Sequence, residues 1–151
     1  MTVDLDERTS PSEIERRAEL LAVADVDRLR LVAERCLADL GEPVLVEAPT
    51  TGIVMMQVRE PVVGDRFHLG EVVVTRADIS LSGERGWAMR LGTDRAATLA
   101  AAICDAAARV GGPAADVVDE LLDEVERERR RADRELTVAL GPTVVEFEEL
   151  D

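Results

Sequence analysis

The feature that most limits the fold of this chain is a double change in hydrophobic period. Up to Leu40 the apolar residues recur at three- and four-residue steps. From Val44 to Leu91 they alternate or form short apolar runs, and after Gly92 the helical spacing returns. The expected class is therefore α+β. It comprises an N-terminal helical hairpin, an antiparallel sheet of about four strands, an alanine-rich helix packed on that sheet and a further C-terminal helix.

Ser10-Pro11-Ser12-Glu13 reads as a helix start, with Ser10 as cap, Pro11 in the first turn and Glu13 completing a capping box. Ile14, Ala18 and Leu21 share one side of the helix that follows. Asp25 caps a second helix whose stripe is Val26, Leu29, Ala33, Cys36, Leu37 and Leu40, and Gly41 supplies a left-handed stop.

Residues 44–48 then read as a short strand, Pro49-Thr50-Thr51-Gly52 as a turn, and residues 53–59 as a second strand. Val54, Met56 and Val58 share one face of that strand, and Ile53 and Met55 lie on the other. Apolar residues on both faces predict cover on both sides, by the helical hairpin on one and by a later helix or another chain on the other. After a loop over residues 60–65, the segment Arg66–Leu81 alternates as Ala77, Ile79 and Leu81 against Asp78 and Ser80. Extended backward, this register puts Glu71 and Thr75 on the apolar face. An acid there implies a bulge, a specific partner or a strand end open to solvent. Ser82-Gly83-Glu84-Arg85 is a hairpin turn, and residues 86–91 return as a strand carrying Trp87 and Met89.

Asp94 caps the next helix, Arg95–Val110, in which Asp105 stands out among alanines with Arg109 one turn away. Gly111-Gly112-Pro113 interrupts the chain before a helix over residues 114–134 with a Val118, Leu121, Leu122 and Val125 stripe. Gly141-Pro142 leads to an edge strand over residues 143–147 and an acidic tail. Residues 1–151 read as a single domain, with 1–9 as a loose leader and 114–151 as the C-terminal helix and tail.

Charge narrows the function. With a formal net charge of -14 the surface suits neither a phosphate backbone nor an anionic membrane. All the basic residues are arginines, a pattern compatible with GC-rich coding or with a high-salt cytoplasm. No leader or membrane-length apolar run is evident, so a cytoplasmic location is expected. Cys36 and Cys104 read as small buried thiols in a reducing compartment.

Catalytic signals are sparse. A single histidine without paired cysteines argues against a structural metal, and the nucleophile elbow, Walker and dinucleotide patterns are all missing. His68 beside Arg66 can meet an anion or act as an acid–base group, or be a half-exposed histidine at the start of a strand. Thr75-Arg76 can hold phosphate oxygens, or Arg76 can pair with Glu71, Asp78 or a partner chain. Arg95 can assist an anion at a helix N-terminus, or be a plain surface arginine. The run Arg129 to Arg131 suits a solvated, ion-paired helix face.

Taken in order, the segments resemble the G subunit of the carbon–phosphorus lyase core complex, the PhnG family. The resemblance rests on T-G-I-V-M-M-Q-V-R, G-D-R-F-H-L-G-E-V-V-V-T-R-A-D-I-S-L and G-E-R-G-W-A-M-R-L-G-T-D-R, followed by the alanine-rich helix containing Asp105. Its most specific part is Phe67-x-x-Gly70-Glu71, then Thr75-Arg76, then Gly92-x-Asp94. One departure is the loop Glu60-Pro61-Val62-Val63-Gly64, which lacks the glycines of similar proteins and cannot form their nest of N–H donors.

The resemblance implies a role in phosphonate breakdown, in a complex that makes α-D-ribose 1-methylphosphonate 5-triphosphate from ATP and methylphosphonate with release of adenine. ATP would be a substrate of the whole complex, and no cofactor or metal is expected on this chain alone. The implied partners are the H, I and J subunits, with K and L as further candidates. Arg66, Phe67, His68, Gly70, Glu71, Thr75, Arg76, Asp94 and Arg95 are the candidate assembly or substrate-proximal residues, and none is assigned a catalytic role. The alternatives are an independent small enzyme using His68, Glu71 and Arg76, or an anion-binding module.

Overall fold

The computed structural model describes residues 11–141. In chain order the elements are α1 (Pro11–Val23), α2 (Val26–Leu40), β1 (Val44–Arg59), β2 (Arg66–Leu81), β3 (Glu84–Leu91), α3 (Arg95–Val110) and α4 (Gly112–Leu140). The three strands form one antiparallel sheet in the order β1-β2-β3. The α+β arrangement thus follows the hydrophobic periods, with β2 central. The anticipated Ser10 cap and the edge strand over residues 143–147 lie outside the described residues.

The strand count differs from expectation for a local reason. Residues 44–48 and 53–59 do not form two strands separated by a turn. They are one sixteen-residue strand, β1, whose register against β2 slips between Leu45 and Glu47 and again between Glu47 and Thr50. Pro49 and its neighbours are absorbed as an irregularity in an edge strand, where a missing N–H donor does no harm. The β2–β3 turn is tight, with Ser82 and Gly83 both at positive φ (50° and 87°), the conformation that matches the twist of a two-residue hairpin.

The core lies on one side of the sheet. Ala77, Ile79 and Leu81 of β2 and Ala88 of β3 meet Ala101, Ala102, Ala106 and Ala107 of α3, all of them buried. Small side chains let α3 press close to the strands. An added Cβ on Gly86 would sit 2.1 Å from the Ala102 carbonyl oxygen and 2.7 Å from the Ala106 Cβ, so only glycine fits that position. Behind α3, α2 contributes Leu29, Ala33 and Cys36, and α4 contributes Ala114, Val118, Leu121, Leu122 and Val125. The helical hairpin therefore does not cover the expected face of β1: α1 leans on β3, while α2 packs against α3 and α4.

Caps and ion pairs set the helix positions. Asp25 accepts the Arg28 N–H at 3.1 Å, and Gly41 at φ 87° donates to the Leu37 carbonyl. Arg90 of β3 donates to the carbonyls of Leu21 and Ala24, satisfying orphan acceptors at the end of α1. Asp105, 4% exposed, accepts from Arg17 Nε of α1 at 2.7 Å and from the Trp87 backbone N–H of β3 at 3.0 Å. Arg109, the partner suggested by its spacing, is also present, more loosely at 3.4 Å. Cys36 and Cys104 are buried and free, and the neighbouring Cys36 thiol together with burial pushes the Cys104 thiol well above its usual value. Helix α4 continues past Val125, its last buried residue, to Leu140, beyond the expected end at Arg134. There Arg130 pairs with Glu126 at 2.8 Å and Arg129 with Glu19 at 3.7 Å.

Replacing Gly86 with alanine is expected to destabilise the protein by about 3 kcal/mol, because α3 must back away from β3. Urea unfolding checks this, and a loss under about 1 kcal/mol would show the helix–sheet contact to be softer than the distances imply.

Candidate functional site

The segment that carries most of the singled-out residues is built in two halves. From Val74 onward β2 pairs with β3 as well as β1, and its inner face is covered by α3. Before Val74, β2 has only β1 beside it. Residues 52–59 and 66–73 therefore form a two-stranded ribbon that leaves the helical layer and extends about 26 Å at 3.3 Å per residue. The face bearing Ile53, Met55, Glu71 and Val73 is exposed, whereas Val54, Met56, Val58 and Val72 on the other face are half-buried. Ile53 is 65% exposed, Met55 61%, Leu69 58% and Phe67 46%. The cover expected for the Ile53 and Met55 face of this stretch is not supplied by the described residues.

Register assigns each residue to a face. Ile53 opposes Val73 and Met55 opposes Glu71 on the face continuous with Thr75 and Ala77. Glu71 thus keeps the predicted register. It is exposed because the helical layer stops short of it, which makes the open strand end the correct alternative. The slip between Met56 and Gln57, where the β2 partners pass from Gly70 to His68, leaves Leu69 as the extra residue. Gly70 beside it has φ 157°, a conformation that side chains rarely adopt. Beyond the slip, Gln57 opposes His68 and Arg59 opposes Arg66 on one face, while Val58 opposes Phe67 on the other.

Thr75 and Arg76 have internal roles. Thr75 is fully buried, donating its hydroxyl to the Gly92 carbonyl at 2.8 Å and sharing a hydrogen bond with Thr51 at 2.9 Å. The Gly92 N–H returns a bond to the Val73 carbonyl, so this threonine pins the end of β3 to the centre of the sheet. A phosphate-binding role for its hydroxyl has no room. Arg76 pairs with Glu47 across the sheet, at 2.6 and 2.7 Å to the two carboxylate oxygens, and not with Glu71 or Asp78. Asp78 is held instead by Arg85, at 2.5 Å. The Glu47–Arg76 pair was hidden from the sequence because the slips on either side of Glu47 decide which residue it faces.

Asp94 caps α3 by accepting the Ala97 N–H at 2.8 Å and meets Arg30 at 3.4 Å. The Ala97 N–H, reinforced by Arg30, lowers its pKa. With that carboxylate on the helix N-terminus, Arg95 is an exposed neighbour of an occupied cap rather than part of an anion cradle. His68, Glu71 and Arg76 do not form one constellation. Eight positions of strand separate His68 from Arg76, about 26 Å, and Glu71 and Arg76 lie on opposite faces of β2. Among the described residues no group of His, Cys, Asp and Glu is placed to hold a metal ion. No described helix is long and apolar enough to cross a membrane.

At the ribbon tip, Glu60 folds its carboxylate back onto the N–H groups of Val63 and Val62, at 2.5 and 2.8 Å. These two bonds, Val63 first, hold its pKa below the ordinary 4.5. The loop thus directs two N–H donors to its own acid.

Two outcomes follow from this geometry. A depressed carboxyl pKa means that Glu60 steadies the loop above its unfolded value and stops doing so as pH falls through the folded one. An NMR titration should place the Glu60 midpoint below 4.5, with the Val62 and Val63 amide shifts moving together with it. Replacing Arg76 with alanine should cost no more than about 1 kcal/mol, since both partners are substantially exposed. Thermal unfolding measures this loss, and a drop several times larger would mean that the pair is coupled to the sheet more tightly than its exposure allows.

The comparisons with known proteins agree with one another. Residues 13–150 match the family of phosphonate metabolism protein PhnG. A protein of Rhizobium meliloti (strain 1021), the alpha-D-ribose 1-methylphosphonate 5-triphosphate synthase subunit PhnG, is 36% identical over 129 residues, covering 85% of this chain and 81% of its own. With a motif-bearing strand that runs out into an exposed ribbon and a match over nearly all of its described length, the chain belongs to the PhnG family of phosphonate metabolism proteins.

Proposed function

We propose that this chain is a subunit of α-D-ribose 1-methylphosphonate 5-triphosphate synthase in the cytoplasmic carbon–phosphorus lyase system. In this role it supports transfer of the ATP ribosyl triphosphate group to methylphosphonate with release of adenine, and its own residues assemble the complex rather than perform the chemistry. The named relative supports the pathway. The single observation that carries the assembly role is the ribbon: Phe67, Gly70 and Glu71, the first part of the motif that is most specific to the resemblance, lie on an exposed projection beside the exposed apolar Ile53, Met55 and Leu69. Such a surface suits contact with another protein, whereas a substrate pocket is concave and gathers polar groups. In this reading ATP is a substrate of the whole assembly, the chain binds no cofactor by itself, and the companions are the H, I and J subunits, with K and L as further ones.

Reconstitution tests the reading. The purified chain with ATP and methylphosphonate should release no adenine, and release should begin when the H, I and J subunits are added and fail when this chain alone is omitted. Turnover by the isolated chain would replace the reading with an independent enzyme.

A further inference from the structure

We infer that the ribbon of residues 52–59 and 66–73 is a docking arm for a non-identical protein chain, which offers an apolar cleft to the ribbon and carboxylates to its tip. The inference rests on the assembly reading above and adds to it the surface used and the chemistry of the counterpart.

Composition is the first support. One third of the chain is charged (33%), yet no charged residue occurs between Glu47 and Arg59. A stretch that is free of charge, rich in methionine and β-branched residues and exposed at Ile53 and Met55 has the make-up of an interface core. Shape is the second. Ile53, Met55 and Val73 stand exposed on one face, while on the other Val54 and Val58 are half-buried and Phe67, opposite Val58, is exposed. A two-stranded ribbon is marginally stable in water by itself, and a flat surface would cover one side only. The counterpart is therefore a cleft that covers Ile53, Met55 and Val73 and reaches round the ribbon to Phe67.

The tip is the third support, and it specifies charge. Arg59 and Arg66 are directly opposed in the register, with His68 two positions from Arg66 on the same face. Like charges set opposite one another destabilise a strand pair. Glu60 and Asp65 adjoin these arginines in the chain, yet the Glu60 carboxylate is taken by the Val62 and Val63 N–H groups and neither arginine has an ion-pair partner among the described residues. On the same sheet, Arg76 and Arg85 each hold a carboxylate. The tip pair is thus left for an acid supplied from outside. The tip N–H donors of Val62 and Val63 are already taken by Glu60, so a free phosphate would find no converging backbone donors there and the acid belongs to a protein. A second copy of this chain fits less well: it would bring another net charge of -14, and arms paired tip to tip would place four arginines together.

The test uses the full chain co-expressed with tagged H, I and J subunits. One variant reverses the tip charge (Arg59→Glu with Arg66→Glu), one makes the ribbon polar (Met55→Ser with Phe67→Ser), and a control reverses an exposed arginine on α4 (Arg134→Glu). Recovery of this chain with the tagged subunits should fall about tenfold or more for both arm variants and stay unchanged for the control. The isolated variants should melt close to the wild type, since the arm contributes little to the core. Wild-type recovery that the arm variants match would overturn the arm and leave the assembly reading intact. A wild-type chain that is not retained would remove the assembly reading itself, and this inference with it. An isolated wild-type chain that sediments as a dimer, and as a monomer once Phe67 is changed, would reassign the arm to a second copy.

Discussion

Asp105 draws three elements onto one buried carboxylate. Arg17 reaches it from α1, the Trp87 N–H from β3, and Arg109 from the next turn of α3 itself. Burying a charge costs several kcal/mol unless the geometry is good and the lone pairs are occupied, and here two close donors and a third, looser one satisfy them. The alanines around it make this arrangement feasible, because only a helix without bulk comes close enough for its acid to reach a strand's backbone. The Arg17 guanidinium still has one buried nitrogen, Nη2, without a partner in the described residues. The cluster therefore does more to fix where α1 lies than to add net stability. An apolar replacement would allow α1 to slide, whereas a carboxylate with three directional donors does not.

Around that anchor the molecule divides into two physical regimes. The body is held by close packing of small side chains between α3 and the strands, with Leu29, Val118 and Leu121 behind them. The ribbon has strand hydrogen bonds and cross-strand side-chain contacts, but no helix against it. Thr75 stands at the boundary, and its two hydrogen bonds close the last covered rung of the sheet. The same strand is thus a core strand at its C-terminal end and an arm strand at its N-terminal end.

Much of the body was legible because its rules are local. The caps Asp25 and Asp94, the stop at Gly41, the span of α3 and the alternation of Ala77, Ile79 and Leu81 all follow from period and capping chemistry. The ribbon was only half legible. Apolar residues on both faces of residues 53–58 did signal a need for cover, but a pattern of residues cannot say that the helices end before reaching them. The merged β1 was illegible for a related reason: a proline and a glycine spell a turn locally, and only pairing along β2 turns them into an irregularity. The partner of Arg76 depends on that same slip. Of the candidate residues, Thr75 and Asp94 became structural, while Phe67, Gly70, Glu71, Arg66 and His68 fell together on the arm. The family resemblance, legible in the sequence from about Arg8 to Val110, extends in the family match through residue 150.

The arm also bears on how the chain fares between synthesis and assembly. An edge strand with bare N–H and C=O groups beside Ile53 and Met55 is a template for indiscriminate pairing, and many copies released at once would tend to stick through it. The net charge of -14 then takes on a second meaning. Mutual repulsion between acidic bodies keeps bare arms apart in solution while remaining weak enough, over a Debye length, to permit a closely fitted encounter. In this light the acidic surface works as a form of self-chaperoning for an orphan subunit.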